Sequence, residues 1–140
     1  MMAIELFVTR EGGLFVNEIA PRTHNGGHYT FGACATSQFE QHLRAICGLP
    51  SGDPSLLRPT VMLNLLGDLW RDGSPAWPTV LSHPTARLHL FGKRRPSRGS
   101  KMGHILILDD DIQAADEVAA TIATELEQSV AALPVGRAWT

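Results

Sequence analysis

The chain has 140 residues, of which 44% are hydrophobic and 19% are charged, and its formal net charge is −2. This composition excludes an intrinsically disordered chain, and the near-neutral charge argues against a general nucleic-acid-binding protein. No apolar run reaches the roughly 18 residues of a membrane-spanning helix, and the first residues lack the features of a secretory signal. We therefore expect a cytoplasmic protein with neither a nucleic acid nor a membrane as partner. Cys34 and Cys47 are predicted to be buried free thiols.

The first half of the chain predicts a hairpin, a loop and a helix. Residues 4–9 and 14–18 are rich in apolar and β-branched side chains and flank a Gly-Gly turn sequence, which is typical of a β-hairpin. The Pro, Asn and Gly residues of 21–27 predict a loop. A helix is predicted from Ser37, which begins a capping-box pattern, to the helix-ending Gly48.

The second half predicts short strands followed by a long helix. The predicted elements are strands at 61–66, 87–91 and 105–108, a loop at 67–84, and a final helix at about 111–133. The apolar stripe of this helix includes Ile122, Val130 and Leu133 at helical spacing. The pattern as a whole predicts an α+β fold whose first strands are antiparallel.

Glu5 and Glu18 are the first candidate functional residues. If the hairpin has a two-residue turn at Glu11-Gly12, the two glutamates lie opposite each other, with Cβ atoms about 4.5–5.5 Å apart. Two facing carboxylates destabilise a hairpin unless a cation lies between them or one acid is protonated. Carboxylate oxygens suit Mg²⁺. The alternative is a pair of solvated glutamates in a different register.

Two further segments carry candidate binding residues. In the loop after the second carboxylate, Arg22 can hold an anion, and His24 and Asn25 can hydrogen-bond a planar polar substrate or a carboxylate. His24 and His28 have a spacing that binds zinc on a helix, but the glycines between them argue against a helix. Five of the 12 Lys and Arg residues lie at 93–101, where they can bind a phosphate or form a solvated surface loop.

A longer set of segments carries a family resemblance: Glu5 to Thr9, Val16 to Arg22, His24-Asn25, Gly27 to Thr30, Thr36 to Ile46, Val61 to Asp68, Gly92-Lys93 and Lys101 to His104. These segments resemble the C-terminal part of the carboxyaminoimidazole ribonucleotide synthetases, the ATPase subunits of phosphoribosylaminoimidazole carboxylase. The resemblance implies the C-terminal half of an ATP-grasp domain at residues 1–50. A small β-rich C-terminal domain with a terminal helix is expected at residues 51–140.

The resemblance implies a ligase of de novo purine biosynthesis. In this family ATP phosphorylates bicarbonate, and carbon dioxide released from carboxyphosphate is captured by the amine of aminoimidazole ribonucleotide. The implied roles are Mg²⁺ binding by Glu5 and Glu18, ATP binding by Asn17 and Glu18, a catalytic loop of Arg22, His24 and Asn25, and 5′-phosphate binding by Lys93, Arg95 and Arg98. A cation between two acids agrees with phosphoryl-transfer chemistry.

The chain also departs from this family. An extra Gly99-Ser100 lengthens the basic loop, and the family's N-terminal domain and ATP-holding segment have no counterpart. We therefore expect a truncated copy with little or no synthetase activity alone, whose exposed hairpin edge requires a homodimer or a complementing N-terminal fragment. The alternative is a non-catalytic nucleotide-phosphate-binding module, or an interaction protein, derived from this enzyme.

Overall fold

A computed structural model describes residues 1–71 and 73–126, together with the backbone of 132–135. The chain folds as two compact units, Met1–Leu57 and Arg58–Thr140. The mixture of helices and antiparallel sheets confirms the predicted α+β class. The predicted family boundary after residue 50 stays a prediction. No helix in the described ranges is long and apolar enough to cross a membrane.

The first unit is a β-hairpin followed by short helices. Its elements are strands β1 (Ala3–Val8) and β2 (Leu14–Ala20), a 3-10 helix (Asn25–Gly27), and helices α1 (Thr30–Ala33) and α2 (Gln38–Ile46). As predicted, α2 begins after Ser37, whose Oγ accepts the N–H of Glu40 at 3.2 Å. Gly48, at a φ of 66°, follows its end in the left-handed conformation that favours glycine.

The hairpin has the predicted strands but not the predicted turn. The N–H of Thr9 donates to the Gly13 carbonyl at 2.9 Å, and the N–H of Gly12 donates to the Thr9 carbonyl at 3.0 Å. The loop therefore contains three residues, 10–12, instead of two. Gly12 has a φ of 83°, which fits the left-handed last position of a three-residue hairpin loop.

A β-bulge restores the register that the longer loop displaces. Leu6 pairs with Val16, whereas the next residue of β1, Glu5, pairs with Glu18. Asn17 is therefore the extra residue of the bulge. The prediction that Glu5 faces Glu18 is confirmed, but a three-residue loop and a bulge produce that pairing.

Both faces of the hairpin are exposed and largely apolar. Eight large apolar side chains of β1 and β2 are between 48% and 63% exposed: Ile4, Leu6, Phe7, Val8, Leu14, Phe15, Val16 and Ile19. An exposed apolar ribbon with unpaired edges favours association with another chain segment. The expectation that the hairpin pairs with a partner stays a prediction.

The second unit is a four-stranded antiparallel sheet with a helix packed against one face. Its elements are β3 (Thr60–Leu66), a 3-10 helix (Gly67–Trp70), α3 (Trp77–Leu81), β4 (Ala86–Leu90), β5 (Lys101–Leu108), α4 (Ile112–Glu125) and β6 (Ala132–Val135), with the strand order β4-β5-β3-β6. Alternate residues of β3 and β5 meet Ala115, Ala119 and Ile122 of α4 in the core. This spacing places the apolar stripe of α4 on the sheet.

Three sequence predictions for this unit are wrong. Residues 67–84 contain two short helices and not a loop alone. Strand β5 begins at Lys101, four residues earlier than predicted, because its first residues pair with the end of β3. The final helix ends at Glu125, and Leu133 lies in a strand that pairs with β3; Val130 lies outside the described residues. Pro134 disfavours a helical conformation at Leu133 and fits the outer strand of the sheet.

Candidate functional site

The bulge in β2 brings an amide to the pair of facing acids. Glu5 and Glu18 are directly paired, so their side chains project from the same face of the hairpin. They are 43% and 48% exposed. Nδ2 of Asn17 donates to Oε2 of Glu5 at 3.2 Å. The extra residue therefore stabilises one carboxylate beside another.

The imidazole of His24 lies against both acids. Its Nδ1 is 3.4 Å from Oε1 of Glu5, and its Nε2 is 3.9 Å from Oε1 of Glu18. The His24 side chain is only 12% exposed, so the ring forms the buried side of a site whose acids reach solvent. One ligand atom from each of the three residues lies within 4.8 Å of the others. Two carboxylates and an imidazole suit a divalent cation.

Arg22 and Asn25, on either side of His24 in the loop, have different environments. The Arg22 guanidinium is 4.0 Å from Oε1 of Glu18, and it donates to the Thr23 carbonyl at 2.9 Å. Its side chain is 64% exposed, so it can still reach an anion. The Oδ1 atom of Asn25 is buried and accepts no hydrogen bond within the described part of the chain. The structure thus brings Arg22 close to Glu18, whereas Asn25 is linked to the cluster only as the sequence neighbour of His24.

Gln38, which the sequence analysis did not single out, fixes the loop that carries His24. Its Oε1 accepts the His24 N–H at 2.9 Å, and its Nε2 donates to the His24 carbonyl at 2.8 Å. The sequence signal that could have indicated this role is the position of Gln38 directly after the N-cap of α2, where a side chain can reach the preceding loop.

The three predicted phosphate-binding residues lie in the exposed loop between β4 and β5, and two of them line different cavities. Lys93 lines a cavity of about 170 Å³ together with Arg94. Arg98 lines a second cavity of about 310 Å³ together with Asp68. Arg95 lines neither of these two cavities. Arg94, a member of the basic cluster with no predicted role, therefore shares a cavity with Lys93.

The inserted Gly99-Ser100 forms part of a tight turn that is held in place. The N–H of Ser100 donates to the Ser97 carbonyl at 2.9 Å, and Gly99 has a φ of 71° at the third turn position. The N–H of Gly99 donates to Oδ2 of Asp68 at 2.7 Å. The Nε atom of Arg98 is 3.8 Å from the other Asp68 oxygen. The insertion therefore places Arg98 next to a carboxylate.

Burial also raises the pKa of two side chains of the first unit that were not predicted to belong to a site. Burial of the phenol raises the pKa of Tyr29, and the nearby Cys34 thiol group raises it further. Burial raises the pKa of Cys34 itself. Cys34 and Cys47 are both free, but Cys47 is exposed and Cys34 is only partly buried. The prediction of two buried thiols is therefore wrong.

Comparisons with known proteins match residues of the two compact units to two different families. Residues 1–39 match the ATP-grasp domain family, and residues 60–118 match the phosphoribosylaminoimidazole carboxylase C-terminal domain family. The part of the first unit that holds the candidate metal site is thus similar to an ATP-grasp domain. The part of the second unit that holds the basic loop is similar to the carboxylase C-terminal domain.

Several individual relatives carry the name of one synthetase. N5-carboxyaminoimidazole ribonucleotide synthase of Bacillus subtilis is 50% identical over 107 residues, which are 76% of this chain and 27% of that protein. The crystal structure of the Thermotoga maritima synthetase is 41% identical with a TM-score of 0.80, covering 95% of this chain and 37% of that one. The Aspergillus clavatus enzyme, in complex with ADP and 5-aminoimidazole ribonucleotide, is 34% identical with a TM-score of 0.79, covering 90% of this chain and 34% of that one.

These comparisons confirm the resemblance predicted from the sequence. The chain is similar in sequence and in structure to the C-terminal part of N5-carboxyaminoimidazole ribonucleotide synthetase, an enzyme of purine biosynthesis. It spans less than a third of the length of the Bacillus subtilis relative.

Proposed function

We propose that this chain provides the metal-binding and substrate-binding groups of a carboxyaminoimidazole ribonucleotide synthetase reaction, in which ATP, bicarbonate and aminoimidazole ribonucleotide are the substrates. The convergence of Glu5, Glu18 and His24 on one face of the first unit carries this proposal. The similarity to synthetases of that name supplies the reaction class.

The donor atoms of the acid pair fit a divalent cation, since one ligand atom from each of three residues lies within 4.8 Å of the others. Glu5 and Glu18 would hold Mg²⁺, with Asn17 keeping the Glu5 carboxylate in place, and Asn17 and Glu18 are the residues that would bind ATP. When bound, Mg²⁺ neutralises charge on the transferred phosphoryl group. The ring of His24 borders both carboxylates on the buried side of the site.

The remaining predicted residues bind the other substrates in this proposal. Arg22 has an exposed guanidinium that can contact bicarbonate or carboxyphosphate. Asn25 offers a buried carbonyl oxygen that can accept from a substrate N–H. Lys93, Arg95 and Arg98 are the candidates for the 5′-phosphate of aminoimidazole ribonucleotide, because guanidinium and ammonium groups bind phosphate dianions.

The ATP contacts that these residues do not supply are assigned to a partner. A complementing N-terminal fragment is favoured over a homodimer, because the exposed apolar hairpin presents unpaired strand edges that another part of an ATP-grasp sheet can join. The predictions of a cytoplasmic location and of little or no turnover by the isolated chain belong to this proposal.

Metal titration tests the acid pair. Mn²⁺ titrated into the full chain and followed by electron paramagnetic resonance should bind. Glu18→Gln should weaken binding by about tenfold or more, as expected when a charged ligand becomes neutral. Glu11→Gln, which alters an acid of the hairpin loop, is the matched control and should bind like the wild type. Equal Mn²⁺ affinity of Glu18→Gln and the wild type would contradict the proposal.

A second candidate function rests on the basic loop alone. The cavity shared by Lys93 and Arg94 favours a module that binds a nucleotide phosphate without catalysis. Calorimetric titration with aminoimidazole ribonucleotide in the absence of ATP distinguishes this function from the synthetase. Binding that requires neither ATP nor Glu18 supports the module, and loss of binding in Lys93→Ala would locate it at this loop.

A further inference from the structure

We propose that Gln38 is a positioning residue that holds His24 against the carboxylates of Glu5 and Glu18. This inference rests on the proposed metal function of that site. Gln38 contacts neither acid in the hydrogen bonds described; it acts through the main chain of His24. Its loss should therefore alter the geometry of the site without removing a ligand.

The side-chain amide of Gln38 pairs with both main-chain groups of His24. The His24 N–H can only donate, so the atom it meets at 2.9 Å must be Oε1 of Gln38. The other end of the amide is then Nε2, which donates to the His24 carbonyl at 2.8 Å. Two hydrogen bonds to one residue fix the position and orientation of that peptide segment, and with them the direction in which the imidazole leaves the main chain.

The Nε2 atom of Gln38 also determines the tautomer of the neutral His28 ring. Nε2 of Gln38 lies 2.8 Å from Nδ1 of His28. Because Nε2 only donates, Nδ1 must accept, and the proton of the neutral His28 ring must lie on its own Nε2. The ring is held by stacking on Phe39, with centroids 5.4 Å apart. One glutamine side chain thus secures two histidines of the loop.

The loop is shaped around this amide. A Cβ atom at Gly27 would lie 2.6 Å from Oε1 of Gln38, so a larger residue at that position would displace the amide. Oγ1 of Thr30 accepts the main-chain N–H of Gln38 at 2.8 Å and donates to the Gly27 carbonyl at 2.6 Å. Four positions of the segment 24–30 therefore contact Gln38 or its immediate partner.

Helix α2 carries a second amide with the same geometry, which offers a matched control. Nε2 of Gln41 donates to the Gly52 carbonyl at 2.7 Å, and the Gly52 N–H donates to Oε1 of Gln41 at 3.0 Å. Gly52 lies between α2 and β3, away in sequence from the loop that bears His24. The two glutamines thus make equivalent bonds, and only Gln38 makes them to the candidate site.

Replacement of each glutamine by methionine, which preserves length and removes the hydrogen bonds, separates positioning from stability. Both Gln38→Met and Gln41→Met should lower the melting temperature of the chain. Only Gln38→Met should weaken Mn²⁺ binding, by about 10- to 100-fold, as for residues that orient metal ligands. Wild-type Mn²⁺ affinity in Gln38→Met, or an equal loss in Gln41→Met, would overturn the inference.

A second measurement does not need the metal. Ring-nitrogen NMR shifts of His28 should show an unprotonated Nδ1 and a protonated Nε2 in the wild type and in Gln41→Met. Gln38→Met should lose this preference; an unchanged His28 tautomer would overturn the inference. A wild-type chain that binds no Mn²⁺ refutes the proposed function, whereas binding that Gln38→Met leaves intact refutes only the role of Gln38.

Discussion

Substitution of Gly67 by alanine should destabilise the second unit by displacing the basic loop. A Cβ atom at Gly67 would lie 2.1 Å from the Ser97 carbonyl oxygen and 2.8 Å from the Ser97 nitrogen. Gly67 lies at the start of a 3-10 helix without a positive φ, so space and not backbone conformation requires glycine here. Its N–H also donates to the Ser100 carbonyl at 2.8 Å.

The size of the expected stability loss follows from this close approach. The atom nearest to the new methyl group, at 2.1 Å, is the main-chain carbonyl oxygen of Ser97, so a side-chain rotation cannot relieve the contact. The turn must move by roughly 1 Å, and forcing extra volume into a packed site costs about 1–3 kcal/mol. For a unit of this size each kcal/mol lowers the melting temperature by about 4–8 °C. Movement of the turn should also weaken phosphate binding, because Arg98 lies within it.

Thermal unfolding followed by circular dichroism measures the loss of stability, and phosphate titration followed by NMR measures the change at the loop. Gly92→Ala is the control, because Gly92 has a φ of 69° and nothing within 4 Å of a new Cβ atom. It should cost about 1–2 kcal/mol from backbone conformation alone without moving Ser97. A Gly67→Ala variant with the wild-type melting temperature and unchanged Ser97 signals would refute the packing argument.

Three other predictions address the core, a histidine and the thiols. Ile122→Ala should cost about 2–5 kcal/mol in denaturant unfolding, because this side chain is fully buried between helix and sheet; a cost below 1 kcal/mol would contradict that packing. Burial, and secondarily Arg87, lowers the pKa of His89, so the unfolded state binds more protons as pH falls below about 6.5, and stability should decline there. His89→Gln should flatten this dependence of melting temperature on pH, and an unchanged slope would refute the assignment. Maleimide should label exposed Cys47 before Cys34, whose pKa is raised by burial; mass spectrometry showing the reverse order would refute it.

Local signals in the sequence predicted the elements that local interactions determine. Ser37 was recognised as an N-cap because its hydroxyl bonds the helix that follows it. The hairpin strands followed from apolar composition and an intervening turn. The end of the last helix was missed because the apolar spacing continues beyond Glu125, and only pairing with β3 shows that residues 132–135 form a strand.

The candidate site was predicted in part. The pairing of Glu5 with Glu18 is correct, although neither the three-residue loop nor the bulge was foreseen. These two errors cancel, since each shifts the register by one residue in opposite directions. The role of Gln38 depends on contacts with a segment 14 positions away, and no local pattern encodes such a contact. The Asp68 bond to Gly99, across 31 positions, was missed for the same reason.

Because of the bulge, the pairing of Glu5 with Glu18 should survive the deletion of one residue from β2. Loss of one residue from a strand ordinarily turns every later side chain to the opposite face. Here Asn17 has no partner on β1, and the pairs on either side of it, Leu6 with Val16 and Glu5 with Glu18, involve consecutive residues of β1. Deletion of Asn17 would remove the bulge and leave the two glutamates paired. The site would lose only the hydrogen bond from the Asn17 amide to Glu5.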